Sequence, residues 1–174
     1  ESWYAGETAI TAIGQGFTLV TPLQLANATA KLANSSLSIK PHLLLSIDGI
    51  QQEKQEVKEK KQSYSDEILK WVKTGMVNVT KEGGTAAFLG RKSNYQMASK
   101  TGTAQVFGLK KDQEYNEDII PDKLKDHALF ITYAPAIDPE IVIAVIVENG
   151  GHGGSVAGPI AKEVLDAYLI NKKL

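Results

Sequence analysis

The stretch Ala98-Ser-Lys-Thr-Gly-Thr-Ala-Gln105 places a lysine, a glycine and two threonine hydroxyls at four consecutive positions, 100 to 103. Its two threonines, and Val106 and Phe107 after it, are typical of a β-strand. Side chains alternate between the faces of a strand, so Lys100 and Gly102 share one face while Thr101 and Thr103 share the other. Because Gly102 would let a ligand lie against the backbone, the stretch predicts an edge strand beside a groove.

These residue types suit the binding of an anionic acyl substrate along the strand. The lysine supplies positive potential, the threonine hydroxyls can hold a carboxylate, and the backbone N–H of Thr103 can stabilise an oxyanion. Lys100 and Thr103 are therefore candidate catalytic residues, and Thr101, Gly102 and Thr103 are candidate substrate-binding residues. Threonine and lysine are also common on exposed strands, so the four residues alone also fit a strand that binds no ligand.

Three strands are predicted in this half of the chain, over residues 98–107, 127–134 and 141–148. The short connection at 136–139 favours a hairpin, which makes the arrangement an antiparallel meander. The last strand reads IVIAVIVE and is apolar on both faces. This pattern predicts a central strand that is covered on both sides.

Helices are predicted before and after the strands. Thr21, Pro22 and Gln24 form a helix start with a capping box, and a second helix begins after Ser65. Residues 1–20 are predicted to form loops and turns. A terminal helix places apolar residues at steps of four, at Val156, Ile160, Val164 and Tyr168. This order of elements predicts an α/β fold of the α+β type, with an antiparallel sheet flanked by helices.

The composition narrows the classes of function. The 174 residues are one domain's worth of chain, and a net charge of −1 gives no electrostatic reason to expect nucleic acid as a partner. The chain has no cysteine, which excludes disulfides, zinc–thiolate sites and cysteine nucleophiles within it. The three histidines are not spaced like metal ligands, and we predict no metal and no cofactor.

Several segments, in their order along the chain, resemble class B penicillin-binding proteins. A lysine–threonine–glycine strand belongs to serine acyltransferases that also carry S-x-x-K and S-x-N motifs. The similar segments are WYAGETAITAIGQGFTLVTPLQLANATAKLAN, KTGTAQV, DHALFITYAP and IVIAVIVENGGHGGSVAGPIAKEVLD. The resemblance covers nearly the whole chain and is greatest to the elongation-type members of the class, penicillin-binding protein 2.

The resemblance implies that residues 1–174 are the C-terminal portion of one penicillin-binding-protein/β-lactamase-like transpeptidase domain. It implies that the D-Ala-D-Ala end of a peptidoglycan stem peptide acylates a serine, and that β-lactams acylate the same serine. The implied partners are the stem peptide, β-lactams, the upstream part of the same domain and the cell-wall elongation machinery, including a glycan polymerase. The implied location is the periplasm, on a protein anchored in the inner membrane outside this chain.

The family's nucleophile is not found in this sequence. No serine has a lysine three positions later or an asparagine two positions later. In the family both motifs precede the W-Y-x-G segment, so we expect this chain to begin after them and to be inactive alone. The alternatives are a serine β-lactamase fragment and a non-catalytic binding or structural fragment.

The missing segment also affects the expected packing. We expect the terminal helix to cover one face of the sheet and the upstream segment to cover the other, so that the isolated chain self-associates or binds that segment.

The charged segment 108–126 is a candidate lip of the active site or a solvated loop. Gly14 and Gly16 are predicted to serve turns or close packing, and the GGHGGS stretch to form a mobile turn at the rim of the site.

Overall fold

The computed structural model describes residues 3–35, 37–38, 40–51, 58–59, 64–106 and 120–170. The helices there are α1 (Ala5–Ala12), α2 (Pro22–Ala33), α3 (Asp66–Asn78), α4 (Ala87–Arg91) and α5 (Ala157–Leu169), with a 3-10 helix at Asp122–Leu124. The strands are β1 (Leu37–Ser38), β2 (Ser46–Ile47), β3 (Ile50–Gln51), β4 (Lys58–Glu59), β5 (Ala98–Ala104), β6 (His127–Ala134) and β7 (Ile141–Val147). Within these ranges, no helix combines the length and the apolar character that crossing a bilayer requires.

The main sheet has the strand order β5-β6-β7 and is antiparallel throughout. β6 begins and ends at the predicted residues, and β5 and β7 begin where they were predicted to begin. β5 ends at Ala104, and the described residues 105 and 106 are outside the strand, so β5 is shorter than predicted. Phe107 and the part of the predicted loop from 108 to 119 lie outside the described residues. The meander expected from the short connection at 136–139 is confirmed.

Helices cover both faces of this sheet. On one face α5 packs against β6 and β7, around a core that includes Phe130 and Leu165. On the other face α2 packs against β6 and β7, and α3 packs against β5, around Met76 and Tyr133. The result is a three-layer arrangement, and it confirms the predicted fold class with an antiparallel sheet flanked by helices.

Two helices begin where the sequence predicts. At α2, the Gln24 N–H donates to Thr21 Oγ1 at 3.1 Å, and the Thr21 N–H donates to Gln24 Oε1 at 2.8 Å. At α3, the Ile68 N–H donates to Ser65 Oγ at 3.3 Å. These bonds satisfy backbone donors that the first turn of a helix leaves without a partner. Both starts were predictable because the capping partners are neighbours in the sequence.

The prediction of loop and turn for residues 1–20 is wrong where α1 forms. The Tyr4 N–H donates to Glu7 Oε2 at 2.7 Å and so closes the start of this helix. α1 has no buried residue. Without a buried face it has no apolar periodicity for the sequence to show, and this is why the pattern did not indicate it.

The predicted buried face of α5 is also wrong. Ile160 and Val164 are 44% and 46% exposed, whereas Ala161 and Leu165 are fully buried. At Gly158, a Cβ would lie 2.8 Å from Leu89 Cδ1 and 3.4 Å from a ring carbon of Phe130. The helix therefore approaches the sheet and α4 through Gly158, Ala161 and Leu165, and Ile160 and Val164 are left at the margin.

Two predictions about the third strand are corrected by the topology. Among the described strands β6 is the central one, and β7 lies at the edge opposite β5. The residues of β7 are half-buried, except that Ile146 is 41% exposed. The face away from α5 is covered by α2 and α3 of this chain rather than left for an upstream segment. An apolar pattern indicates that both faces of a strand are covered, but it does not indicate whether both edges of that strand pair with neighbouring strands.

Candidate active site

The motif residues lie on β5, at one edge of the described sheet, as predicted. Thr101 pairs with Phe130, and Thr103 pairs with Ala128, which places both threonines on the face that α5 covers. Lys100 and Gly102 are on the opposite face because side chains alternate along a strand. The predicted division of the four residues between two faces is therefore confirmed.

The threonine face of β5 borders a cleft of about 380 Å³. Thr101 and Thr103 form one wall, and the turn at 152–155 forms another. Thr85 and Phe88 complete the lining, and the Thr85 and Thr101 hydroxyl oxygens are 3.4 Å apart. Three threonine hydroxyls in one cleft can donate several hydrogen bonds to a carboxylate. Thr85 was not among the residues predicted for the site.

The glycine-rich turn after β7 packs directly on the motif strand. A Cβ on Gly153 would collide with the backbone oxygens of Gly102 and Leu129. A Cβ on Gly102 would lie 3.1 Å from Leu129 Cβ. These glycines therefore allow close packing within the chain, a role that was not predicted for Gly102.

Bonds from a single asparagine hold this turn to the segment before β6. Asn149 has a φ of 56°, and its side-chain amide donates to the carbonyl oxygens of Lys123 and Lys125 at 3.1 and 2.9 Å. Its backbone N–H donates to His127 Nδ1 at 2.9 Å. The cleft wall is thus tied to residues 123–127, which include the described end of the candidate lip.

Lys100 is exposed, and its ammonium group donates to the Thr101 carbonyl oxygen at 2.7 Å. The positive charge therefore lies along the outer edge of β5. A cation at this place can attract a substrate carboxylate and stabilise negative charge that develops beside the strand.

A second side chain reaches the same strand edge from the start of the chain. Gln15 Nε2 donates to the Thr103 carbonyl oxygen at 2.6 Å. Gln15 lies between Gly14 and Gly16, which have φ values of 78° and 68°. The prediction that these glycines serve a turn is confirmed. The contact of Gln15 was not predicted, although a turn was predicted at the two glycines beside it.

A larger opening of about 480 Å³ lies at the side of α3, away from the motif threonines. The Lys73 ammonium donates to the Ala33 carbonyl oxygen at 2.8 Å and to Ser35 Oγ at 2.5 Å. Burial lowers the pKa of Lys73. These bonds join the end of α2 to α3, so Lys73 has a structural role and the smaller cleft is the candidate site.

Comparison with known proteins gives the family. Residues 1–166 match the family model described as the penicillin-binding protein transpeptidase domain. The chain belongs to the penicillin-binding protein transpeptidase family. The motif strand and its cleft are therefore parts of a transpeptidase-family domain.

Within this family the chain is similar to penicillin-binding protein 2. It is 41% identical to the peptidoglycan D,D-transpeptidase MrdA of Haemophilus influenzae, over 99% of the chain. It matches Pseudomonas aeruginosa penicillin-binding protein 2, solved in complex with WCK 5153, with a TM-score of 0.78 and 40% identity over 97% of the chain. It matches Helicobacter pylori penicillin-binding protein 2, solved in complex with MreC, with a TM-score of 0.74 and 33% identity over 98%. The predicted resemblance is confirmed.

The chain spans only part of each of these penicillin-binding proteins. It covers 27% of the MrdA relative, 35% of the Pseudomonas chain and 29% of the Helicobacter chain.

In the ranges that the structure describes, no group of three histidine, aspartate or glutamate side chains is arranged to hold a metal ion. Ser99, next to the motif, is fully buried and donates to Thr132 Oγ1 at 2.9 Å, so its hydroxyl does not face the cleft.

Proposed function

We propose that the chain is the C-terminal portion of a peptidoglycan DD-transpeptidase domain and supplies its substrate-binding strand. The observation that carries the proposal is the placement of Thr101 and Thr103 on the wall of a cleft at the edge of the sheet. Membership of the penicillin-binding protein transpeptidase family supports it. The strand edge offers backbone groups, hydroxyls and a cation to one extended substrate.

The proposed reaction has two steps at a serine. The serine oxygen attacks the carbonyl carbon of the penultimate D-Ala, the bond to the terminal D-Ala nitrogen breaks, and D-Ala leaves as the protonated amine. An amine of a neighbouring stem then attacks the ester, forms the cross-linking amide and releases the serine. A β-lactam acylates the same oxygen by opening its ring.

Each motif residue has a proposed role in the first step. The Thr103 N–H donates to the oxyanion of the tetrahedral intermediate, and the hydroxyls of Thr101 and Thr103 hold the terminal carboxylate. Lys100 supplies positive charge along the same edge, and Gly102 keeps the strand free of a side chain there. None of these residues is the nucleophile.

We propose that the nucleophile belongs to a segment upstream of this chain. No serine here has the S-x-x-K or S-x-N spacing, and the chain spans 27% of its MrdA relative. The protein that joins this chain to that upstream segment is called the parent protein. We propose that it is anchored in the inner membrane, faces the periplasm and acts with the elongation machinery and a glycan polymerase. The solved complex of a relative with MreC supports that association.

Labelled penicillin tests the proposed function. We expect the parent protein to form a stable covalent adduct and this chain alone to form none. A covalent adduct on this chain alone would contradict the assignment of the nucleophile. An adduct on the parent protein that turns over rapidly, with release of hydrolysed penicillin, would indicate a β-lactamase instead.

A further inference from the structure

The contact between Gln15 and Thr103 joins two residues that are 88 positions apart in the sequence. It is short, at 2.6 Å between Nε2 and the carbonyl oxygen. The acceptor is the backbone of the residue whose N–H and hydroxyl are proposed to act on the substrate. An inference from this contact therefore rests on the proposed function.

The local structure aims the Gln15 side chain at the strand. The Gly14 N–H donates to the Thr11 carbonyl oxygen at 2.9 Å, and the Gln15 N–H donates to the Ile10 carbonyl oxygen at 3.1 Å. These bonds fold the turn back onto the end of α1. Gln15 is half-buried, while residues 12–14 and 16–20 around it are exposed. One side chain of this stretch is thus directed inward, and its amide ends at β5.

The acceptor lies on the edge of β5 that does not pair with β6. Two carbonyl oxygens that are two residues apart, those of Thr101 and Thr103, accept side-chain donors from Lys100 and Gln15. Backbone groups at alternate positions of an edge strand point away from the partner strand, which explains this spacing. The hydrogen bond from Gln15 restrains the rotation of the Thr103 carbonyl, and with it the backbone of that residue.

We infer that Gln15 is a positioning residue for acylation, which holds the Thr103 backbone so that its N–H and hydroxyl stay aligned with the reacting acyl group. Gln15 acts through Thr103 and does not touch the substrate. Alignment within a few tenths of an ångström matters most when charge develops on the oxygen, so the effect belongs to the acylation step rather than to initial binding.

Two variants of the parent protein test this role. Gln15→Met keeps the length and volume of the side chain but has no donor, and Gln15→Glu keeps its shape but presents only acceptors at neutral pH. We expect both to lower the acylation rate constant for penicillin by about 3- to 10-fold, the factor that corresponds to one net hydrogen bond. The dissociation constant of the pre-acylation complex and the melting temperature should stay close to wild type.

The matched control is Gln24→Glu. The Gln24 side chain accepts a hydrogen bond from the Thr21 N–H, and glutamate retains that acceptor, so acylation should be unchanged. An unchanged acylation rate constant in both Gln15 variants overturns the inference. A fall that is matched by loss of thermal stability, or by weaker pre-acylation binding alone, overturns it as well. If the wild-type parent protein is not acylated at all, the proposed function fails and the inference fails with it.

Discussion

At the scale of single residues, the site depends on hydroxyl and backbone groups whose directions are set by β5. Thr103 carries most of this chemistry, since its N–H, its hydroxyl and its carbonyl each have a different proposed or observed partner. Its carbonyl is held by Gln15, and its side chain lines the cleft. Substitutions that change one of these groups at a time can therefore separate their contributions.

Thr103→Val in the parent protein keeps the volume and the β-branching but removes the hydroxyl. Losing a hydrogen bond to a charged carboxylate costs about 1.5–3 kcal/mol, so we expect penicillin acylation to slow by about 10- to 150-fold. Stopped-flow acylation kinetics give the measurement. Thr74→Val is the control, because Thr74 is an exposed residue of α3. Unchanged acylation kinetics in Thr103→Val would show that the Thr103 hydroxyl does not bind the substrate carboxylate.

At the scale of elements, α5 is joined to the segment before β5 by a polar cluster. The Tyr95 hydroxyl donates to Asp166 Oδ1 at 2.7 Å, and the Lys162 ammonium donates to both oxygens of Asp166. Burial, and then the hydrogen bond to Asp166 and its charge, raise the pKa of Tyr95 above its usual range. Partial desolvation acts to raise the pKa of Asp166, but the bonds from Lys162 and Tyr95 and the charge of Lys162 outweigh it and lower that pKa.

Asp166→Asn tests the stabilising effect of this cluster through its pH dependence. The pKa of Asp166 is lower in the folded state than in the unfolded state. The ionised carboxylate therefore stabilises the fold fully above the unfolded-state pKa, about 3.9, and this stabilisation is lost as the pH falls through the folded-state pKa. Because the carboxylate is 35% exposed, we expect a loss of about 1 kcal/mol in the free energy of unfolding at pH 7. That difference should shrink below about pH 4.

Urea unfolding of the parent protein at several pH values measures the effect. Asp138→Asn, at an exposed position of the β6–β7 connection, should change the stability little at any pH. A difference between wild type and Asp166→Asn that stays constant from neutral to strongly acidic pH would show that the ionised carboxylate does not stabilise α5.

The buried face of α5 gives a second prediction at this scale. Ala161→Leu adds three carbons at a fully buried position, so we expect it to lower the free energy of unfolding by about 1–3 kcal/mol through overpacking. Val164→Leu, at a position that is 46% exposed, should change it by less than about 0.5 kcal/mol. If Val164→Leu destabilised the protein more than Ala161→Leu, the buried face of α5 would be the one predicted from the sequence.

At the scale of the whole molecule, both faces of the sheet are covered but apolar surface is still exposed. β7 has no pairing partner on its outer edge among the described strands. Several large apolar side chains near the start of the chain are more than half exposed, namely Trp3, Tyr4, Ile13, Phe17, Leu19, Val20 and Leu23. Open strand edges and large apolar patches favour association with another chain or segment.

We therefore predict that this chain alone self-associates, or binds the upstream segment of the parent protein when both are present. Analytical ultracentrifugation at micromolar concentration gives the distribution of species, and adding the upstream fragment should convert it to a single complex. The intact parent protein is the control, because we expect its own upstream segment to cover these surfaces. A compact monomer without affinity for the fragment would show that the three strands and their helices form a complete core.

The sequence by itself determined the family, the placement of Lys100 to Thr103 on an edge strand, the bounds of β6 and the starts of α2 and α3. The strand and the helix starts depend on residues that are close together in the chain, either as caps or as alternation along a strand. The family depends on several motifs and on their order along the chain. Only the tertiary structure decided that α5 buries Ala161 instead of Ile160, that Gly153 packs on Gly102, and that Gln15 reaches Thr103. These contacts depend on how closely segments far apart in sequence approach each other, and no local pattern encodes that distance.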